Sequence, residues 1–89
     1  MENVVREVEF DQNALDDINW WKRKDPAKLR RILRMANECK TRPFTGLGKP
    51  EPLKHQLAGC WSRRIDREHR LVYEVSETRV RILACRYHY

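Results

Sequence analysis

The sequence contains no run approaching the ~20 consecutive apolar residues that cross a bilayer. Its opening Met1-Glu2-Asn3 has neither the basic start nor the apolar core of a secretory signal. A cytoplasmic protein with no membrane partner is expected. Cysteine is scarce: Cys39, Cys60 and Cys85 are odd in number, lie more than twenty residues apart and make no Cys-x-x-Cys pair. This argues against zinc or redox work and for reduced side chains in a core. Gly-x-Ser-x-Gly, a Walker loop and a cluster of metal ligands are all missing, so serine-hydrolase, nucleotide-hydrolysing and metal-dependent chemistry find no support, and no cofactor is expected. There is no repeat, low-complexity segment or linker. The 89 residues make one domain, residues 1–89, large enough to fold without disulfide or metal staples but too small for a deep internal cavity. Any active site must lie in an open surface groove.

What the chain has in excess is positive charge. Nineteen Lys and Arg stand against 13 Asp and Glu, a net charge of +6, with 36% of residues charged and 40% hydrophobic. The excess is uneven: residues 1–25 carry a net −3 and residues 26–89 a net +9. A polyanionic partner, bound by the last two thirds of the chain, is the direct implication.

Val4, Val8 and Phe10 share one parity over Val4–Phe10, the pattern of a short strand. Asp11 then caps a helix whose apolar positions are Ala14, Leu15, Ile18 and Trp21, and which ends in the basic run Lys22-Arg23-Lys24. Asp25-Pro26 starts a second helix with Leu29, Ile32, Leu33, Ala36 and Cys39 on its inner face. Its outer face, with Lys28, Arg30, Arg31 and Arg34, reads equally as a solvated surface or as a polyanion contact. Residues Thr41–Pro52 hold three of the four prolines and two of the three glycines, a loop whose length suggests a function. Three strands, Cys60–Ile65, Arg70–Val75 and Val80–Tyr87, follow as a meander with turns at residues 66–68 and 76–78. The predicted fold is α+β: a compact sandwich with an N-terminal strand and a two-helix hairpin packed on one face of a mainly antiparallel sheet, the other face left free to bind.

Three constellations suit chemistry. Glu51 lies between Pro50 and Pro52, which hold it extended on a stiff arm. Lys49, Lys54 and His55 are within four residues of it, so its carboxylate stays ionised at neutral pH and can accept a proton. Arg63, Arg64, Arg67 and Arg70 form the densest basic cluster. If Ile65 pairs with His69, Arg64 faces Arg70, and two like charges opposed in this way cost stability unless an anion bridges them. The pair then makes a pincer for a phosphate; the competing reading is separate ion pairs with Asp66, Glu68 and Glu74. The sequence closes on Cys85-Arg86-Tyr87-His88-Tyr89, where strand alternation puts Tyr87 and Tyr89 on one side and Arg86 and His88 on the other. The rings can stack on nucleobases, and His88 can act as an acid near neutrality. RNA is cut without an added nucleophile when its own 2′-hydroxyl attacks the adjacent phosphorus. That reaction needs a base, cations around the phosphoryl oxygens and an acid at the leaving 5′-oxygen, roles that Glu51, the arginine pair and His88 can fill. DNA, lacking the 2′-hydroxyl, would be inert.

The segments Lys49-Pro50-Glu51-Pro52-Leu53-Lys54-His55, Gly59-Cys60-Trp61-Ser62-Arg63-Arg64-Ile65, Glu68-His69-Arg70-Leu71-Val72-Tyr73 and Cys85-Arg86-Tyr87-His88-Tyr89 closely resemble the Txe/YoeB family of toxins within the RelE superfamily, over about Phe10 to Tyr89. The resemblance implies a RelE-like fold and a bacterial type II toxin: an endoribonuclease that cleaves messenger RNA in the ribosomal A site until an antitoxin neutralises it. It implies Glu51 as general base, His88 as general acid, Arg70 stabilising the pentacoordinate phosphate, Arg64 and Lys54 holding the backbone, and Tyr89 stacking on or orienting a base. Lys49, His55 and Arg63 join the expected RNA contacts. The implied partners are an acidic YefM-like antitoxin, the ribosome with its A-site messenger, operator DNA only as a toxin-antitoxin complex, and a second copy in a homodimer. Trp20, on the polar side of the first helix, is a candidate exposed contact. The chain departs from the family at Leu15, where tryptophan is frequent, and in a slightly longer N-terminus. Apart from the resemblance, charge and terminal aromatics equally suit a non-catalytic RNA- or ribosome-binding module. Glu51 discriminates, because a binder gains nothing from a stiff acid among its cations.

Overall fold

Each helix begins at an aspartate. In the computed structural model, which describes residues 4–87, the Asp11 carboxylate accepts the Ala14 N–H at 3.0 Å and opens α1 (Gln12–Lys24). The Asp25 carboxylate accepts the Lys28 N–H and opens α2 (Pro26–Glu38), with Pro26 in the first turn. Both satisfy helix-start donors that would otherwise lack partners. Asp25 also closes α1 through its own N–H to the Trp21 carbonyl, so one residue makes the corner of the hairpin.

The strands are β1 (Glu7–Phe10), β2 (Glu51–Pro52), β3 (Cys60–Arg64), β4 (Arg70–Val75) and β5 (Arg79–Ala84). They form one sheet in the order β1-β5-β4-β3-β2, with β1 parallel to β5 and the other pairs antiparallel. The helices cover one face of this sheet. Ala14 and Trp21 of α1 and Ile32, Met35 and Ala36 of α2 pack on Leu71, Tyr73, Val80 and Ile82. The α+β sandwich is as expected, and all three cysteines are free and buried.

Four details correct the sequence reading. β1 starts at Glu7 rather than Val4: its pairing with β5 begins at Glu7 and Arg79, and the preceding Arg6 N–H turns instead to the Lys40 carbonyl. Leu15 and Leu33 are 42% and 45% exposed, while Met35 is fully buried; the true inner stripes run Ala14-Ile18-Trp21 and Ile32-Met35-Ala36-Cys39. The last strand ends at Ala84, where the Cys85 N–H turns to the Asp17 carboxylate and the Trp21 indole donates to the Cys85 carbonyl. Tyr87 takes a left-handed φ of 63°, so the strand alternation predicted for Arg86 and Tyr87 does not apply. Finally, the face opposite the helices is only partly open. Cys60, Val72 and Ala84 form a second small cluster there, with Leu53 and Leu57 packed on it from the segment leading into the short 3-10 turn His55–Leu57.

Candidate functional site

Two neighbouring arginines on β3 have opposite fates because strand residues alternate between faces. Arg63 points to the helices and is fully buried. Its guanidinium binds the Glu38 carboxylate at 2.6 Å, the Tyr73 hydroxyl and the carbonyls of Arg42, Thr45 and Leu47. It is a spool around which the proline-glycine loop is wound, out of reach of any phosphate, and the expectation that it contacts RNA is wrong. Burial works against ionising Glu38, but the Arg63 guanidinium and the Leu47 N–H outweigh it and hold the carboxyl below its usual range. The Tyr73 hydroxyl donates to the Pro43 carbonyl at 2.7 Å, and burial pushes it up to about 12. Gly48, at φ 86°, passes so close to β3 that a Cβ would lie 3.0 Å from both the Arg63 Cβ and the Arg64 carbonyl. The Gly48 carbonyl accepts the Arg64 N–H.

This winding delivers Glu51 to the sheet. Its backbone pairs with Ser62, and Pro52 with Trp61, so the proline-flanked acid stands on an edge strand. The predicted loop ends at Pro50. Ser62 and Arg64 share parity, and Arg64 pairs directly with Arg70. Glu51, Arg64 and Arg70 therefore project from the same, helix-free face, with Glu51 and Arg64 diagonal neighbours about 7–8 Å apart.

The Arg64–Arg70 pairing predicted from the turn is present. Among the described residues neither arginine meets a carboxylate within ion-pair distance, which removes the reading of separate ion pairs. Asp66 is committed elsewhere: it holds Lys28 at 2.7 Å and accepts the N–H groups of Glu68 and His69. Burial raises its carboxyl, yet these partners bring it down to about 2. The Arg70 Nη1 is steered by the Asp66 and His69 carbonyls. Arg31, Arg64, Ile65, Asp66, Arg67 and Arg70 line an open groove of about 460 Å³. Arg31 donates to the Arg64 carbonyl at 2.9 Å, and its Nε is buried without a partner. The basic face of α2 is thus divided: Lys28 and Arg31 face the turn, whereas Arg30 and Arg34 are exposed.

Lys49, Lys54 and His55 are exposed beside Glu51; Lys49 and His55 take left-handed φ values of 52° and 60°. The expected acid His88 and stacking residue Tyr89 lie outside the described residues. The segment leading to them is tied to the site, since the Arg70 N–H donates to the Tyr87 carbonyl at 2.7 Å. Trp20, expected to be exposed, is half-buried: it packs edge-on against Trp21, with the Arg86 guanidinium 3.9 Å above its ring. His69, which sequence reasoning passed over, is buried immediately before β4 and accepts the Tyr87 N–H on Nδ1. No periodicity could signal a contact made to an irregular segment 18 residues away. Among the described residues no three His, Cys, Asp or Glu side chains converge as a metal site, and no helix is long and apolar enough to cross a membrane.

Comparison with known proteins finds relatives over nearly the whole chain. Toxin YoeB of Mycobacterium bovis is 49% identical over 85 residues, covering 96% of this chain and all of that protein. A YoeB/ParE toxin structure from Agrobacterium tumefaciens superposes with a TM-score of 0.88 at 44% identity, covering 93% of this chain and 99% of that one. Two Staphylococcus aureus structures, a YoeB dimer and a YoeB-YefM complex, align with TM-scores of 0.84 and 0.82 at 35% and 34% identity, each over 94% of this chain and 98% of its own. Residues 10–89 match the YoeB-like toxins of bacterial type II toxin-antitoxin systems, and to that family this chain belongs.

Proposed function

We propose that this toxin is a ribosome-dependent endoribonuclease that cuts messenger RNA in the A site and so halts translation. The observation that carries the reading is the placement of Glu51 on the same face as the Arg64–Arg70 pair, a base and a phosphate clamp on one surface. Glu51 takes the proton from the 2′-hydroxyl, and the O2′–P bond forms as the P–O5′ bond breaks. Arg70 and Arg64 hold the phosphoryl oxygens as charge develops there, and His88 gives the 5′-oxygen its proton. The products are a 2′,3′-cyclic phosphate and a 5′-hydroxyl. Lys49, Lys54 and His55 bind the backbone beside Glu51, and Tyr89 stacks on a base.

A YefM-like antitoxin that covers this surface, assembly with a second copy, operator binding only with the antitoxin, and action in the cytoplasm complete the proposal. The Staphylococcus aureus dimer and YoeB-YefM complex support the first two.

The test is primer extension on messenger-programmed ribosomes, with ribosome-free RNA alongside. Wild type should cut in the A site, Glu51→Gln and His88→Ala should abolish cutting, and Arg70→Ala should lower it by ~10²-fold while ribosome association persists. Intact messenger despite tight ribosome binding would make the protein a binding module. Equal losses of cutting and association in Arg70→Ala would demote that residue to a binding contact.

A further inference from the structure

The catalytic reading assigns nothing to His69, yet this imidazole is built into the molecule with unusual care. Its side chain is 8% exposed and lies among the rings of Trp21, Tyr87 and Trp20, with centroids 4.8, 5.3 and 5.8 Å away. Nδ1 accepts the Tyr87 N–H at 2.7 Å, so that nitrogen carries no proton and the neutral ring holds its hydrogen on Nε2. Nε2 faces the Glu68 carboxylate at 3.6 Å. The next residue, Arg70, donates its N–H to the Tyr87 carbonyl at 2.7 Å. Both backbone polar groups of Tyr87 are therefore held by consecutive residues at the start of β4. Tyr87 itself sits at φ 63°, a conformation that a non-glycine residue keeps only where its surroundings impose it.

We propose that His69 is a positioning residue: its imidazole Nδ1 latches the Tyr87 N–H and so fixes the backbone of the residue that immediately precedes His88 in the sequence. This rests on the nuclease reading for its consequence but not for its geometry. On its own turn, the Glu68 carboxylate faces Nε2, and the Asp66 carboxylate, paired with Lys28, holds the His69 backbone N–H. The Arg70 guanidinium lies on the His69 carbonyl. From the tail, the Arg86 guanidinium is bonded to the Tyr87 hydroxyl and stacked over Trp20. α1 presents the neutral rings of Trp20 and Trp21, and its Asp17 is engaged by the Cys85 N–H.

Two measurements test the latch. In nitrogen-15 NMR of the whole chain, His69 should be the Nε2–H form at neutral pH with a coupling across the hydrogen bond from the Tyr87 amide to Nδ1. A protonated Nδ1, or no coupling between the Tyr87 amide and Nδ1, overturns the proposal. On programmed ribosomes, His69→Ala should lower kcat by about 10²-fold with KM held within about twofold, the signature of a misplaced reacting group. His69→Asn, whose Oδ1 can take the place of Nδ1 as acceptor, should recover cleavage to within about tenfold of wild type. Asn no better than Ala, or losses shared equally by kcat and KM, overturns it. A wild type that cleaves nothing defeats the nuclease reading instead, and the NMR arm then decides the latch.

Discussion

At the scale of single residues, position on the strand decides what an arginine does. Arg63 and Arg64 are adjacent and chemically identical, but one face of β3 is packed under the helices and the other is not. Arg63 is surrounded by acceptors, and its removal would take from the Glu38 carboxylate its shortest charged partner and from three loop carbonyls their guanidinium donor. We expect Arg63→Ala to cost about 3 kcal/mol of unfolding free energy, read from the urea midpoint at constant slope. Arg64→Ala should be neutral or slightly stabilising, because it relieves repulsion with Arg70. A small loss in Arg63→Ala would mean that the loop is held by something other than this guanidinium. Cys85, whose thiol burial drives up to about 12 with help from Asp17, is the opposite case: a group capable of chemistry that is kept from it.

At the scale of elements, the turn between β3 and β4 is the hinge of the site. Asp66 folds it by accepting two backbone N–H groups and ties it to α2 through Lys28, which orients both Arg70 and His69. Because the Asp66 carboxyl is held at about 2 in the folded protein against 3.8 ordinarily, its contribution is fully present above about pH 4. It is lost as pH falls through 2. With solvent screening allowed for, this amounts to on the order of 1 kcal/mol. Stability measured by urea titration should decline over that window in wild type, and Asp66→Asn should flatten the decline; an unchanged profile would remove the ion pair from the account. The loop preceding β2 is organised by the same logic, with Gly48 allowing the close approach to β3 that carries Glu51 onto the sheet.

At the scale of the whole molecule, residues 26–89 carry a net +9, and four of their arginines, Arg31, Arg64, Arg67 and Arg70, line a groove shared by α2, β3, β4 and their turn. Association with programmed ribosomes should weaken as salt rises, and Arg31→Ala with Arg67→Ala should each reduce the log–log slope by about 0.7 if each arginine neutralises one phosphate of a single strand. A flat response to salt would contradict the electrostatic footprint. Much of this architecture was legible beforehand. Asp11, Asp25 and Pro26 mark helix starts by local hydrogen bonding, alternation marks β3 and β4, and a short turn at Asp66 sets Arg64 opposite Arg70. The family blocks marked the same acid and arginines as a site. Local chemistry and short-range spacing suffice for these because each involves neighbours within a turn or a hairpin. What only the tertiary structure decided are contacts between distant segments: the burial of Arg63 beneath the helices, the exposure of Leu15 and Leu33, the pairing of Glu51 with Ser62, the entry of Arg31 into the groove, and the bond from Tyr87 to His69. Periodicity says which residues share a face, but which face is covered, and by what, depends on where elements remote in the chain come to rest.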